Sequence, residues 1–118
     1  MEDSILASIR ELLIGDKDDV SFDADLVFDI NTALNILTQV GVGPTTGFKI
    51  TSEEEKWSDF ITDSRLELVK DFVKYKVRSM FDPPTSSFVL ENMNKVIDEL
   101  LWRINVTVDE GIGGGLNV

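Results

Sequence analysis

The chain reverses at Phe81-Asp82-Pro83-Pro84-Thr85-Ser86-Ser87-Phe88, and this stretch decides the fold. Neither proline can continue a helix, because each lacks a backbone N–H and restricts the residue before it to extended conformations. On both sides, apolar residues recur at three- and four-residue steps, as on one face of a helix. They are Leu66, Val69, Phe72, Val73, Val77, Met80 and Phe81 upstream, and Val89, Leu90, Met93, Val96, Ile97, Leu100, Leu101 and Ile104 downstream. The pattern predicts a helical hairpin, with Thr85, Ser86 or Ser87 as the N-cap of its second helix.

Composition narrows the class of protein. The 118 residues include no cysteine and no histidine, so the chain has neither disulfides nor thiolate chemistry, and no side chain that ordinarily titrates near neutral pH. The length suits one domain, and no apolar run approaches the roughly 20 residues of a spanning helix. We expect a soluble protein without a signal peptide or a membrane contact.

The charge of the chain is acidic and unevenly distributed. The net charge is −11, which argues against a surface that coats nucleic acid or anionic membranes. Residues 64–81 are the exception, with five bases and two acids. This basic segment is the first arm of the hairpin.

Two helices are predicted before the hairpin. The first runs over residues 4–14, with Asp3 or Ser4 as cap and Gly15 as a left-handed end. Its predicted core face consists of Ile5, Leu6, Ile9, Leu12 and Leu13. The second begins near Ser21 or Asp23 and ends at Gly41. Its core stripe consists of Leu26, Val27, Ile30, Ala33, Leu34, Leu37 and Val40.

An irregular Gly/Pro loop follows the second helix, over residues 41–52. Phe48 and Ile50 alternate with polar residues, which favours a short extended strand or β-hairpin. Ser52 to Glu55 and Ser64 to Glu67 fit capping boxes, the first opening a short helix with Trp57, Phe60 and Ile61. The whole predicts a small all-α bundle of four to five helices over residues 1–104, and a flexible arm over 105–118.

No metal, cofactor or catalytic site is predicted. The acidic run from Asp16 has Ser21 where an EF-hand needs glycine and Val27 where it needs glutamate, so it is interpreted as a solvated loop. Gly47 is followed by Phe48 rather than by the Lys-Ser or Lys-Thr of a phosphate-binding loop. Without histidine, no motif places a base beside a hydroxyl nucleophile, so we expect no enzyme.

Three features suggest an interface with another subunit or a partner. Phe28 projects nearly opposite Ile30 and Leu37, and either packs under the preceding loop or makes an intermolecular contact. Lys70, Lys74 and Arg78 form one cationic line, which is either solvated or faces an acidic surface. Trp102 points away from the core side of the last helix, a position that favours a partner.

The C-terminal arm is the fourth candidate interface. Val106, Val108 and Ile112 are spaced apolar residues among flexible glycines, too few to form a core. The arm either frays, as chain ends do, or becomes ordered against a neighbouring subunit. It would then add as a strand or place its side chains in grooves, and the alternation favours strand addition at the edge formed by Phe48 to Ile50.

The residues Lys76-Val77-Arg78-Ser79-Met80-Phe81-Asp82-Pro83-Pro84-Thr85-Ser86-Ser87-Phe88-Val89-Leu90 and Leu101-Trp102-Arg103-Ile104-Asn105-Val106, with the N-terminal helix pair, resemble head-to-tail connector proteins. These are head-completion or adaptor proteins of tailed bacteriophages that infect Gram-positive bacteria. The likeness covers about residues 1–106, and the Pro-Pro turn is its most specific part. It implies a virion protein of the head–tail junction, present in the host cytoplasm before assembly. Such a protein forms a ring with itself under the portal protein, extends the DNA channel and contacts the next head-completion or tail protein.

An acidic channel suits this role, because each cation that neutralises a phosphate adds DNA affinity, whereas DNA must slide through without sequence-specific binding. The alternative is an acidic binding module of the DNA-mimic type that sequesters a basic host protein. A connector forms rings, whereas a mimic works as a monomer or dimer.

Overall fold

A computed structural model describes the backbone of residues 3–117 and the side chains of residues 3–106. It contains five helices: α1 (Ile5–Ile14), α2 (Asp23–Gln39), α3 (Trp57–Phe60), α4 (Leu66–Phe81) and α5 (Ser87–Asn117). α1 packs on α2, α2 on α4, and α4 on α5. The predicted all-α bundle is confirmed.

The first two helices end as their sequences predict. The Ser4 hydroxyl accepts a hydrogen bond from the Ala7 N–H at the start of α1, and Gly15 closes the helix with a φ of 85°. α2 ends just before Gly41, which has a φ of 92°. The core stripe of α2 is fully buried at Leu26, Ile30, Ala33, Leu34 and Leu37. Local signals are enough here, because each cap serves amides or carbonyls a few residues away.

The prediction that Leu12 belongs to the core face of α1 is wrong. Leu12 is 51 % exposed, whereas Arg10 is 2 % exposed. The buried side of α1 is rotated toward Leu6 and Arg10, so Leu12 lies at its edge.

The helical hairpin is confirmed. α4 ends at Phe81, the two prolines form the turn, and α5 begins at Ser87. Ser86 is the cap, since its hydroxyl accepts from the Val89 N–H at 3.3 Å. The turn also contacts the first half of the chain, because the Phe81 ring meets Phe22 edge-on with 5.6 Å between ring centres.

The expected strand at Phe48 to Ile50 is not formed. The Asn31 side chain occupies the hydrogen bonds that a strand partner would make: its Oδ1 accepts from the Ile50 N–H at 2.7 Å, and its Nδ2 donates to the Ile50 carbonyl at 2.9 Å. In the described part of the chain, the isolated bridge between Ser4 and Lys56 is the only β-type pairing. The side chain of Asn31 on α2 therefore takes the place that a neighbouring strand would have.

Neither capping box opens its helix as predicted. Glu55 does reach back to the Ser52 N–H, but the Ser52 hydroxyl serves Glu54, and α3 begins only at Trp57. Before α4, the Asp63 carboxylate accepts from the Arg65 N–H, the role expected of Ser64.

The helical backbone of α5 continues past Asn105 to Asn117. The predicted change of pattern at residue 105 is therefore not a change to extended backbone. The side chains of residues 107–118 lie outside the described residues, so the separation of an arm from the domain stays a prediction.

Candidate functional site

The outer side of α5 carries several large apolar side chains that the rest of the described chain leaves exposed. Ile97 and Ile104 are the only described α5 residues that are buried, and both face the rest of the bundle. Four large apolar side chains of this helix are exposed: Phe88, Val89, Val96 and Trp102. We call this set the α5 outer face. Large apolar side chains that are exposed in this way are candidates for contact with another molecule.

Trp102 lies on the α5 outer face, as its helical position predicts, and 64 % of its surface is exposed. Glu99 and Arg103 beside it form an ion pair at 2.8 Å. An exposed tryptophan with a polar surround has the composition of a binding hot spot, although its contact with a subunit or a partner stays a prediction.

The cationic line of α4 has contacts within its own chain. Lys70 lies 3.9 Å from Glu67 and 5.9 Å from the centre of the Trp57 ring. Lys74 lies 3.9 Å from Asp71, and the Arg78 Nε donates to the Asp82 carbonyl at 3.0 Å. Ion pairs at such distances and exposures contribute little to stability, so Lys74 and Arg78 remain available for another acidic surface.

Lys74 and Arg78 also border a groove between α1, α4 and α5. The groove has a volume of about 230 Å³ and is lined in addition by Leu12, Leu13, Tyr75 and Met93. We call it the Tyr75 groove. Its walls are mainly apolar and its rim carries two cations. The sequence pattern could not predict this groove, because residues from three helices line it.

Phe28 is 73 % exposed on the outer side of α2. This exposure excludes the interpretation in which it packs under the preceding loop. Burial and the negative charge of Asp25 raise the pKa of Asp29, the next residue along the helix. Phe28 is thus an uncovered aromatic ring in an acidic surround.

The remaining candidates lie at the end of the described side chains. Val106 is half-buried, and Val108 and Ile112 lie outside the described residues.

A buried ionic network was missed by the sequence analysis. The Arg10 guanidinium donates to both Asp23 oxygens at 3.0 and 2.7 Å, to Glu53 at 2.8 Å and to the Lys17 carbonyl at 2.8 Å. The hydrogen bonds that Arg10 donates to Asp23 hold the pKa of Arg10 above its usual range. One signal was present: Arg10 falls beside Leu6 and Leu13 on the apolar side of α1. The network joins α1, α2 and the loop before α3.

This network and the other polar clusters fit a structural role. The described residues contain no group of three or more Asp or Glu side chains that could hold a metal ion. No helix in the described part of the chain is long and apolar enough to cross a membrane. The described residues do expose apolar side chains on α5, the Tyr75 groove and the ring of Phe28, and a contact with other proteins at these places stays a prediction.

The structure is an acidic helical bundle with exposed apolar side chains. Comparison with protein families then identifies the family. A model described as "Phage connector protein" matches residues 5–111, so the chain belongs to the phage connector family. No curated protein and no solved structure matches the chain.

Family membership confirms the resemblance to a phage head-to-tail connector. The protein has a structural role at the head–tail connection, its family is not enzymatic, and its partners are other phage head or tail proteins. It is therefore a virion component.

Proposed function

We propose that this connector assembles as a ring of identical subunits beneath the portal protein, extends the DNA channel and binds the next head-completion or tail protein. Assembly would follow synthesis in the host cytoplasm, and the turn sequence that resembles connectors of phages infecting Gram-positive bacteria makes such a phage the proposed source. The observation that carries the proposal is the α5 outer face. Its exposed Phe88, Val96 and Trp102 have no cover within the described part of the chain. A ring subunit is completed by its neighbours, so uncovered apolar surface is what such a subunit needs.

The net charge of the protein supports the proposal that its ring extends the DNA channel. With a net charge of −11, a ring of subunits would present many carboxylates to its lumen or rim. DNA phosphates would be repelled rather than held, because tight phosphate binding requires Lys and Arg to release counterions. DNA would pass through without sequence-specific binding.

Negative-stain microscopy of the purified protein mixed with the portal protein of the same phage tests the proposal. We expect rings stacked on the portal and no rings when the portal is omitted at low protein concentration. The matched variant is Trp102→Ala, which should weaken this assembly about 30-fold or more, as truncation of a hot-spot residue does.

The acidic binding module gives the opposite result. A DNA mimic would remain a monomer or dimer with the portal and would bind basic proteins in a salt-sensitive manner. That outcome would remove the connector ring from consideration for this chain.

A further inference from the structure

The Tyr75 groove is shaped to receive one side chain. Its volume of about 230 Å³ is smaller than the roughly 300 Å³ at which small-molecule pockets begin. Leu12, Leu13, Tyr75 and Met93 provide apolar walls, and Lys74 and Arg78 place positive charge at the rim. The complementary group is an apolar or aromatic side chain flanked by carboxylates.

Phe28 is the exposed aromatic residue of this chain that matches the groove. It is 73 % exposed, with Asp25 one turn before it and Asp29 beside it. α2 carries three aspartates and no base. Phe22 is also exposed, but its ring packs edge-on against Phe81. Trp102 is followed by Arg103, and Phe88 has one acid, Glu91, within a turn, whereas Phe28 has two. Charge therefore selects Phe28.

A subunit cannot insert Phe28 into its own Tyr75 groove. Phe28 lies about 160° to 180° around α2 from Ile30 and Leu37, which are fully buried in the core that α2 shares with α4. The ring therefore points away from α4, whereas the groove lies where α4 meets α1 and α5. The two complementary features are on different sides of one molecule.

We propose that Phe28 of one subunit inserts into the Tyr75 groove of the next subunit, with Asp25 and Asp29 facing Lys74 and Arg78. The contact joins two different patches, so each subunit uses both and the chain of contacts closes into a ring when the rotation between subunits permits it. It also gives the like charges along α4 an acidic neighbour, and it places an aromatic anchor inside a charged rim, the usual arrangement at interfaces. The inference rests on the proposed ring and names the contact that builds it.

Disulfide cross-linking tests the contact directly, because the natural chain has no cysteine. The variant Phe28→Cys with Leu12→Cys is assembled with the portal protein, oxidised and separated on a denaturing gel. We expect a ladder of covalent oligomers that extends beyond the dimer, since each subunit would link to two neighbours. Each single-cysteine variant should give dimers at most.

The matched control is Phe88→Cys with Leu12→Cys. Phe88 is 70 % exposed, close to the value for Phe28, but it lies outside the proposed contact. A ladder in this control as strong as in the test variant would overturn the inference. Rings seen by microscopy without a ladder in the test variant would overturn it too, while leaving the connector ring in place. Absence of rings with the natural protein and the portal would overturn both.

Charge exchange provides an independent measurement. Lys74→Glu and Asp25→Lys should each weaken ring assembly about 10-fold at low salt, and the double variant should recover most of the loss, because the reversed pair again attracts. Losses that simply add in the double variant would contradict the contact between these two positions.

Discussion

Trp57 and Trp102 belong to two regions that differ in how their surfaces are covered. Trp57 is 2 % exposed, and its indole N–H donates to the Ser8 hydroxyl at 3.1 Å. Trp102 is 64 % exposed on the hairpin. Residues 3–65, the first region, are closed by buried hydrogen bonds such as this one, although Phe28 is exposed there, and the hairpin leaves one side of α5 uncovered. Trp57 therefore stabilises the subunit, whereas Trp102 contributes little to its core.

The test of this comparison with the largest expected effect replaces each tryptophan with alanine. Trp57→Ala should lower the free energy of unfolding by about 3 to 5 kcal/mol, because it leaves a cavity and removes a buried hydrogen bond. Trp102→Ala should change it by less than about 1 kcal/mol, as for other exposed positions. Urea denaturation of the two variants gives both values. A large loss for Trp102→Ala would place that residue in the core.

The next test removes the cation of the buried network. Arg10→Met keeps an unbranched side chain, although a shorter one, but leaves Asp23 and Glu53 without their partner, and should cost about 3 kcal/mol. The control is Arg65→Met, which breaks the more exposed pair with Asp63 and should cost less than about 1 kcal/mol. Equal losses in urea denaturation would mean that the network does not anchor the first region.

A third test concerns the loop between α2 and α3. A Cβ on Gly43 would lie 2.5 Å from the Phe60 ring, and its φ is 83°. Gly43→Ala therefore combines backbone strain with overpacking and should cost about 3 kcal/mol. Gly47 has a φ of 93° but no atom within 4 Å, so Gly47→Ala should cost about 1 to 2 kcal/mol from strain alone. Thermal unfolding of both variants isolates the contact with Phe60, and identical values would show that this contact contributes nothing.

The smallest effects are those of pH. Burial and the charge of Asp25 raise the pKa of Asp29, so its contribution to stability falls as pH rises from the unfolded pKa to the folded one. The hydrogen bond from Arg65 lowers the pKa of Asp63, whose stabilising contribution is present above the unfolded pKa and is lost as pH falls through the folded value.

At neutral pH, Asp29→Asn should thus stabilise the protein and Asp63→Asn should destabilise it, each by less than about 1 kcal/mol. Denaturation curves measured between pH 3 and pH 7 give the free energy of unfolding of each variant. The difference from the natural protein should shrink toward the acid end. Changes in stability of the same sign for both variants at neutral pH would contradict the different environments of Asp29 and Asp63.

The part of the fold that the sequence predicted rests on local signals. The Pro-Pro hairpin, the Ser4 cap and the left-handed Gly15 depend on residues within a few positions of one another. The exposure of Trp102 followed in the same way from its angle around the helix, whereas the angle of Phe28 left open whether the preceding loop covers the ring.

Tertiary hydrogen bonds decided the rest. Arg10 and Glu53 are 43 positions apart, and Asn31 and Ile50 are 19 apart, so no window of sequence contains either pair. The alternation of apolar and polar residues at Phe48 to Ile50 is present in the sequence, but the Asn31 side chain occupies the hydrogen bonds that a strand partner would make. The Tyr75 groove was beyond reach for the same reason, since it exists only after three helices have packed.

The length of α5 fixes a distance as well as a surface. Phe88 and Trp102 are 14 positions apart on one helix, which corresponds to about 21 Å along its axis at a rise of about 1.5 Å per residue. A partner that contacts both residues at once would need a surface that extends over at least that distance. The spacing of the two side chains would therefore distinguish partners by their size, independently of their charge.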